Sequence, residues 1–227
     1  MYKFFAIDGN DGSGKNTQAQ MLVEYLKSLG RKTLFLSFPR YEETLGGKLL
    51  KKSLAGEYGD FIGLDSHWAS LPYAIDRYES RAQIVSSLAN GTYVICDRWV
   101  SANQIHQSGK FLDLEKRREF LHWLNHLEYG VLKLPRPTMS IYLDVPLEVS
   151  LELLQKKNRD SAENNKAYLE NSVEAARWLI AEEPNHWIRI RCAHEGVMRT
   201  REDIQGEIIK QLVARGLLTV LHESVCP

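Results

Sequence analysis

Seven consecutive residues near the amino end carry the strongest chemical signal: Gly9-Asn10-Asp11-Gly12-Ser13-Gly14-Lys15 has the spacing G-x-x-x-x-G-K. Glycines let a loop wrap so that successive backbone N–H groups point inward at phosphate oxygens, and a lysine at the last position reaches the β- and γ-phosphates of a nucleotide. A Gly-rich turn would account for the glycines but not for a lysine in that place. Asn16 stands where a Ser or Thr hydroxyl commonly meets the metal, with Thr17 one residue on; an amide oxygen there is a weaker acceptor for Mg²⁺ or its waters. A second anionic element, Asp97-Arg98, closes the apolar run Tyr93, Val94, Ile95, Cys96. At a strand end Asp97 would come near the loop and hold a Mg²⁺ water; on a surface the same two residues would be an ordinary ion pair.

Such a loop works only between a strand and a helix, and both are legible. Lys3 to Asp8 is an apolar and aromatic run ending in Gly9, as a buried strand entering a tight turn would. Ala19, Leu22, Val23, Leu26 and Leu29 then recur at spacings of three and four, and Gly30 supplies a stop. Thr33 to Phe38, Thr92 to Cys96, Met139 to Leu143 and Trp187 to Ile190 complete five strand-like runs. Helical patterns fall at Gly47 to Leu54, Ser66 to Leu88, Leu114 to Glu128, Leu147 to Lys156 and Tyr168 to Ala181, with a last one through Ile204, Ile208 and Leu212 to Gly216. Alternation of this kind predicts an α/β fold with a parallel sheet. The polar stretch 156–166, KKNRDSAENNK, lacks apolar anchors and has the composition of a mobile surface flap.

With 227 residues, 44% hydrophobic and 26% charged, and no repeat or Pro-rich linker, the chain has the composition of one globular domain. The 29 basic and 29 acidic residues cancel, so no global field favours nucleic acid or an anionic membrane, and any polyanion site must be local. Cys96, Cys192 and Cys226 form no CxxC pair and have the spacing of cytoplasmic thiols rather than of a disulfide or zinc framework. The first apolar stretch is too short for a secretory signal, and no segment approaches a membrane span.

The loop alone admits a motor, a GTPase, an ATPase or a small-molecule kinase. No Asn-Lys-x-Asp guanine reader is present, and the length leaves little room for motor machinery. Further motifs follow in order: Gly9-x-Asp11-Gly-x-Gly-Lys15-x-Thr17-Gln18, Phe38-Pro39-Arg40-Tyr41, Asp76-Arg77, Asp97-Arg98-Trp99 and Leu143-Asp144-Val145-Pro146. Their order and spacing resemble those of thymidylate kinases, from Phe5 to about Ile209.

That resemblance implies a P-loop kinase three-layer sandwich, a five-stranded parallel sheet between helices with a short lid at about 156–166. Residues 1–216 would form one domain and 217–227 a tail. It implies transfer of the γ-phosphoryl of ATP to dTMP with Mg²⁺, and a homodimer packed through helices. ATP would be held by the loop from Gly9 to Thr17, with Lys15 on its phosphates and Asn16 and Asp97 on the metal, largely through water. Asp11 would reach the acceptor's sugar, and Arg40 and Arg98 would bind its phosphate, with Phe38, Pro39 and Tyr41 beside them. Tyr73 matches the position that stacks on the base, Arg77 the donor to a thymine carbonyl, and Asn103 a reader of the pyrimidine's Watson–Crick edge. An asparagine offers both donor and acceptor, which suits N3–H and O4 of thymine. Without a ligand, the same residues would be an amphipathic helix with a surface ion pair and a helix cap.

The chain also departs from the pattern. Trp99, Ala102 and His106 replace the family's usual Tyr, Ser and Tyr, which alters the wall against the deoxyribose; Gln107 is kept. His106 is either a flat ring excluding a 2′-hydroxyl or a polar residue capping a turn. The place where some relatives carry a catalytic P-loop arginine is Gly12, so transition-state charge should fall to Lys156, Lys157 and above all Arg159 in the flap. The same residues in a plain reading are a solvated run at a helix end. Two alternatives stand beside the dTMP kinase: a kinase for another pyrimidine nucleoside monophosphate, and a nucleotide-binding module whose catalysis has decayed.

Overall fold

The computed structural model describes residues 3–154 and 165–219, the side chains of 151–154 excepted. Its centre is β1 (Phe4–Gly9), every residue of which is buried. Phe5 and Ile7 enter one hydrophobic cluster while Phe4 and Ala6 enter another, so both faces of the strand are covered. A strand buried on two sides has no polar alternation, which is why the run is continuously apolar in the sequence.

Around β1 stand β2 (Thr33–Ser37), β3 (Tyr93–Asp97), β4 (Met139–Asp144) and β5 (Trp187–Arg191) in the order β2-β3-β1-β4-β5. All four pairings are parallel. These are the five strands that the sequence predicts. Ile7 lies opposite Asp97, Ser37 also opposite Asp97, and Gly9 opposite Leu143, so the carboxyl ends of β2, β3, β1 and β4 form one rim. In such sheets ligands bind beyond that rim, where the strand order reverses.

Helices α1 (Lys15–Ser28) and α8 (Arg201–Ala214) cover the Phe5 and Ile7 face through Leu22, Leu26, Ile204, Ile208 and Leu212. On the other face lie α3 (Ser66–Ala89), α4 (Val100–His106), α5 (Leu114–Asn125) and α7 (Lys166–Glu182). The shorter α2 (Leu45–Leu54) packs on α3, and the approach is close: a Cβ on Gly46 would lie 2.4 Å from the backbone nitrogen of Asp76. Next to β4 stands α6 (Leu147–Leu154).

Several features were not predicted. Helix α4 carries no amphipathic stripe because Val100, Ser101, Asn103, Gln104 and Ile105 are all buried. Asn103 therefore stands inside a helix rather than capping one. After α5 the chain makes a π-helical turn over His126–Val131. A small hairpin, β6 (Ala193–His194) with β7 (Val197–Met198), turns through Glu195 and Gly196, both at positive φ as a two-residue hairpin loop requires. Leu217 and Leu218 open the segment set apart in the sequence as a tail, yet they pack against the α1 and α8 cluster, Leu218 being 5% exposed.

Candidate active site

The phosphate-loop residues lie between β1 and α1 as their spacing demands. Gly12 and Gly14 take the left-handed backbone, φ 80° and 84°. At Gly9 a side chain would meet the Leu143 carbonyl oxygen at 2.7 Å, so glycine lets β1 run flush against β4. The loop is latched from outside. Asn10 Nδ2 donates to the Val145 carbonyl at 2.9 Å and its Oδ1 accepts from the Tyr142 hydroxyl at 2.8 Å. The Ser150 hydroxyl donates to the Asp11 carbonyl. Asn10 thus spends its side chain on β4 and the turn after it, leaving only backbone for a ligand. Lys15 is buried with Nζ donating to the Asn10 carbonyl at 2.7 Å and 3.3 Å from Asp11 Oδ1.

Arg98 faces this loop from the end of β3. Its backbone is left-handed, φ 66°, an uncommon conformation for a non-glycine residue. Its guanidinium pairs with Asp11 through Nη2 and donates through Nη1 to His106 Nε2 at 3.0 Å. Because a guanidinium can only donate, Nε2 is the acceptor and the proton of His106 is on Nδ1, which reaches the Ser172 hydroxyl at 3.2 Å. Ser172 in turn donates to the Tyr168 carbonyl at 2.8 Å, and the Tyr168 ring lies near-parallel to His106, 17° off. A continuous polar chain therefore joins Asp11 to α7.

The electrostatics follow from that packing. Burial and then the Arg98 charge push the His106 pKa down to about 3, so it is neutral at any working pH. Burial alone would raise the Asp11 carboxyl, but Arg98 and Lys15 together hold it well below the usual range. Burial raises Asp8, at the end of β1, to about 6 despite Arg98 and a hydrogen bond from Ser101. Lys15 is lowered by burial and then by Arg98.

Asp97 fits a hydrated metal. Its Oδ2 accepts from Asn16 Nδ2 and from the Ser37 hydroxyl, each at 3.2 Å, while its buried Oδ1 has no partner among the described residues. A buried carboxylate oxygen without a donor calls for a cation or water. Asn16, however, offers its nitrogen to Asp97 here, leaving its oxygen for the metal side.

Asp11, Gly12, Gly14, Lys15, Asn16, Thr17 and Asp97 line one end of a cleft of about 540 Å³. Its other walls are Phe38, Pro39, Tyr41, Tyr73, Arg77, Arg98, Asn103, His106 and Gln107, so a single space joins nearly all the residues singled out in the sequence. Arg40 is an exception: its guanidinium turns to Glu43 and to the Ser80 hydroxyl at 2.8 Å, although its neighbours Pro39 and Tyr41 line the cleft. Asp76 holds that turn, accepting from the Arg40 backbone N–H at 3.1 Å and from Thr44. Gly9, Asn10 and Ser13 also lie off the cleft wall. Trp99 does not form a wall either; it is fully buried edge-on against Phe4 and Phe38. Lys156, Lys157 and Arg159 lie outside the described residues.

Arg77 and Asn103 are placed deep in the cleft, both almost wholly buried. Arg77 is no surface ion pair: Nε and Nη2 meet Glu128 at 2.7 and 2.6 Å. Sequence reasoning missed Glu128, Asp8, Ser37 and Tyr168. For Glu128 a signal existed, since it continues the buried stripe Arg117, Leu121, Leu124 at helical spacing. The others become visible only once the strand ends and α7 are in register.

A parallel sheet in this order, with a glycine-rich loop ending in lysine at the head of α1, defines a P-loop α/β nucleotide-binding fold. Comparison with known proteins narrows it: the thymidylate kinase family model matches residues 7–204, and the chain belongs to that family. It is 36% identical to the thymidylate kinase of a Synechococcus strain over 82% of this chain and 85% of that one. It is 30% identical to a probable thymidylate kinase of Methanococcus aeolicus over 96% of this chain and 100% of the relative. The thymidylate kinase of Plasmodium falciparum shows 29% identity over 92% and 89%.

Proposed function

We propose that the protein transfers the γ-phosphoryl group of ATP to dTMP, giving ADP and dTDP. The observation that carries this reading is Arg98, a partly buried cation held by Asp11 against the phosphate loop and in the same cleft as Arg77 and Asn103. An acceptor phosphate placed between Lys15 and Arg98 has one cation on each side. At neutral pH that phosphate already carries a nucleophilic oxygen, so no general base is required. The oxygen bonds to the γ-phosphorus as the bond to the β,γ-bridging oxygen breaks, and the electron pair leaves on ADP. The protein's work is alignment and charge neutralisation.

In this reading the loop amides and Lys15 hold the donor phosphates. Asp97 Oδ1 and Asn16 would hold Mg²⁺ through water, and the ion would supply charge neutralisation to the donor phosphates. Asp11 holds Arg98 and meets the acceptor's sugar. His106, fixed as a neutral acceptor, keeps the Arg98 fork turned to the gap and puts a flat ring where a 2′-hydroxyl would project. Arg40 becomes the second phosphate fork by exchanging the exposed Glu43 for the acceptor. Tyr73 stacks on the base while Arg77 and Asn103 meet its edge. Charge on the migrating group from Arg159 in the lid completes the set.

We also read residues 1–216 as one catalytic domain and 217–227 as a tail, whose first residues, Leu217 and Leu218, pack back on that domain. No helix among the described residues is long and apolar enough to cross a membrane; a cytoplasmic, homodimeric enzyme is our reading. The exposed stripe Trp68, Ile75, Tyr78 and Val85 along α3 supports the dimer, and sedimentation at micromolar chain concentration tests it.

A coupled ADP-release assay with dTMP, dUMP, dCMP and thymidine decides the reaction. Preference for dTMP is expected. Turnover with none of them rejects the kinase, and preference for thymidine rejects a monophosphate acceptor.

A further inference from the structure

The two polar side chains at the base end of the cleft, Arg77 and Asn103, share one buried partner. Glu128, on the π-helical turn after α5, is 0% exposed. Its two carboxylate oxygens take Nε and Nη2 of Arg77 side by side, and Oε1 also accepts from Asn103 Nδ2 at 3.0 Å. The second Nδ2 hydrogen of Asn103 goes to the Ser70 carbonyl at 3.2 Å. Arg77 Nη1 donates to the Trp99 carbonyl at 3.2 Å.

A donor count then fixes what each reader can offer. A guanidinium has five N–H groups and no acceptor. Three of them are engaged with Glu128 and Trp99, so what Arg77 leaves for a ligand is hydrogen-bond donors only. Asn103 has the reverse character. Both hydrogens of its amide are engaged by oxygens, which sets the amide's orientation, and among the described residues no donor reaches its Oδ1. Asn103 by itself is ambiguous, because an amide turned over presents a donor where it had presented an acceptor. Here the carboxylate of Glu128 removes the ambiguity: facing an anionic oxygen, the amide must turn its nitrogen inward.

We propose that Glu128 is a positioning residue that determines base specificity, holding Arg77 as donor and Asn103 as acceptor so that the cleft accepts a thymine or uracil edge and rejects a cytosine edge. This rests on the reading of the cleft as a pyrimidine nucleotide site. Thymine and uracil offer O4 as an acceptor beside N3–H as a donor, and each meets its complement. Cytosine offers an N4 amino donor beside a bare N3, so it would set donor against Arg77 and acceptor against Asn103. Two mismatched buried pairs cost far more than the loss of one contact, because each leaves polar groups unpaired.

Glu128→Gln is the direct test, since it keeps the shape but gives Asn103 a partner that accepts or donates. Steady-state kinetics with dTMP, dUMP and dCMP on the wild-type and variant enzymes, with the KM for ATP and the melting temperature, separate the outcomes. The wild type should prefer dTMP and dUMP over dCMP. In the variant the ratio of kcat/KM for dTMP to that for dCMP should fall by at least about tenfold, carried by KM for the monophosphate, while KM for ATP stays within about twofold. An unchanged ratio, or a loss shared by all monophosphates and by ATP, overturns the role of Glu128 while leaving the kinase reading intact. A wild type that uses none of the monophosphates overturns that reading and the proposal with it. Should the variant fail to fold, the wild-type Asn103 side-chain amide decides by nitrogen-15 NMR. Its two protons should remain protected from exchange, with little shift, when dTMP binds, because both stay on protein oxygens. Fast exchange in the free protein, or a large shift of those protons on binding, contradicts the assignment.

Discussion

At position 98 the chain bends through the left-handed region, and the bend sends the guanidinium back over the phosphate loop while Trp99 enters the core. A side chain fixed this way is preorganised for charge that appears during transfer, where such groups contribute most. Arg98→Ala should therefore lower kcat with dTMP by about a hundredfold or more, with ATP affinity changed far less. Equal losses in both, measured by single-turnover kinetics and by titration calorimetry with ATP, would remove its role toward the acceptor. Asp8 makes a different prediction. Its pKa is raised to about 6 by burial, so the folded state binds a proton more tightly than the unfolded chain does. The stability tied to that proton is complete below the ordinary carboxylate pKa near 4 and is lost as pH rises through about 6. Asp8→Asn keeps a partner for Ser101 and carries no charge to bury. It should raise stability by up to about 2–3 kcal/mol at pH 7.5 and leave it unchanged near pH 4. Denaturant melts at the two pH values check this, and equal effects at both would contradict it.

Among the elements, the phosphate loop stands out for how much of its shape is imposed from β4 and α6. Asn10 bridges Tyr142 and Val145, and Ser150 holds the Asp11 carbonyl. Asn10→Ala leaves two buried groups without partners, costing about 1–3 kcal/mol, and loosens the cradle. A lower melting temperature together with a raised KM for ATP is expected; a lower melting temperature alone would confine Asn10 to folding. The loop itself was readable because its chemistry is local: glycines, lysine, strand and helix are contiguous. The five strands were readable because burial on both faces leaves unbroken apolar runs. Helix α4 was not, since a short helix with five of its seven residues buried has no exposed polar face to set its period. Arg77 and Asn103 were recognisable as residue types at the right spacing. Glu128 lies 51 residues from Arg77 in sequence, and only the packing of α3 against the turn after α5 brings them together. Arg40 was expected beside Arg98, but its local pairing with Glu43, three residues on, holds it elsewhere.

For the whole molecule, the boundary at the carboxyl end is set by packing rather than by composition. Leu217 and Leu218 return over α8, where the Leu217 and Leu218 N–H groups donate to the Leu212 carbonyl at 2.9 and 3.3 Å. Leu218→Ala should cost about 2–4 kcal/mol of stability while leaving both KM values as they are; an unchanged melting temperature would place this residue outside the cooperative unit. In the reading proposed above, the cleft at the sheet rim has a donor end at Lys15 and Asp97 and an acceptor end at Arg77 and Asn103, with Arg98 between them. A crystal structure with dTMP and a non-hydrolysable ATP analogue together tests it most directly. The dTMP phosphate is expected on the Arg98 guanidinium, its O4 and N3 on Arg77 and Asn103 Oδ1, and the γ-phosphate on Lys15. A dTMP bound with its phosphate away from Arg98, or its base outside the Arg77 and Asn103 pair, would contradict it.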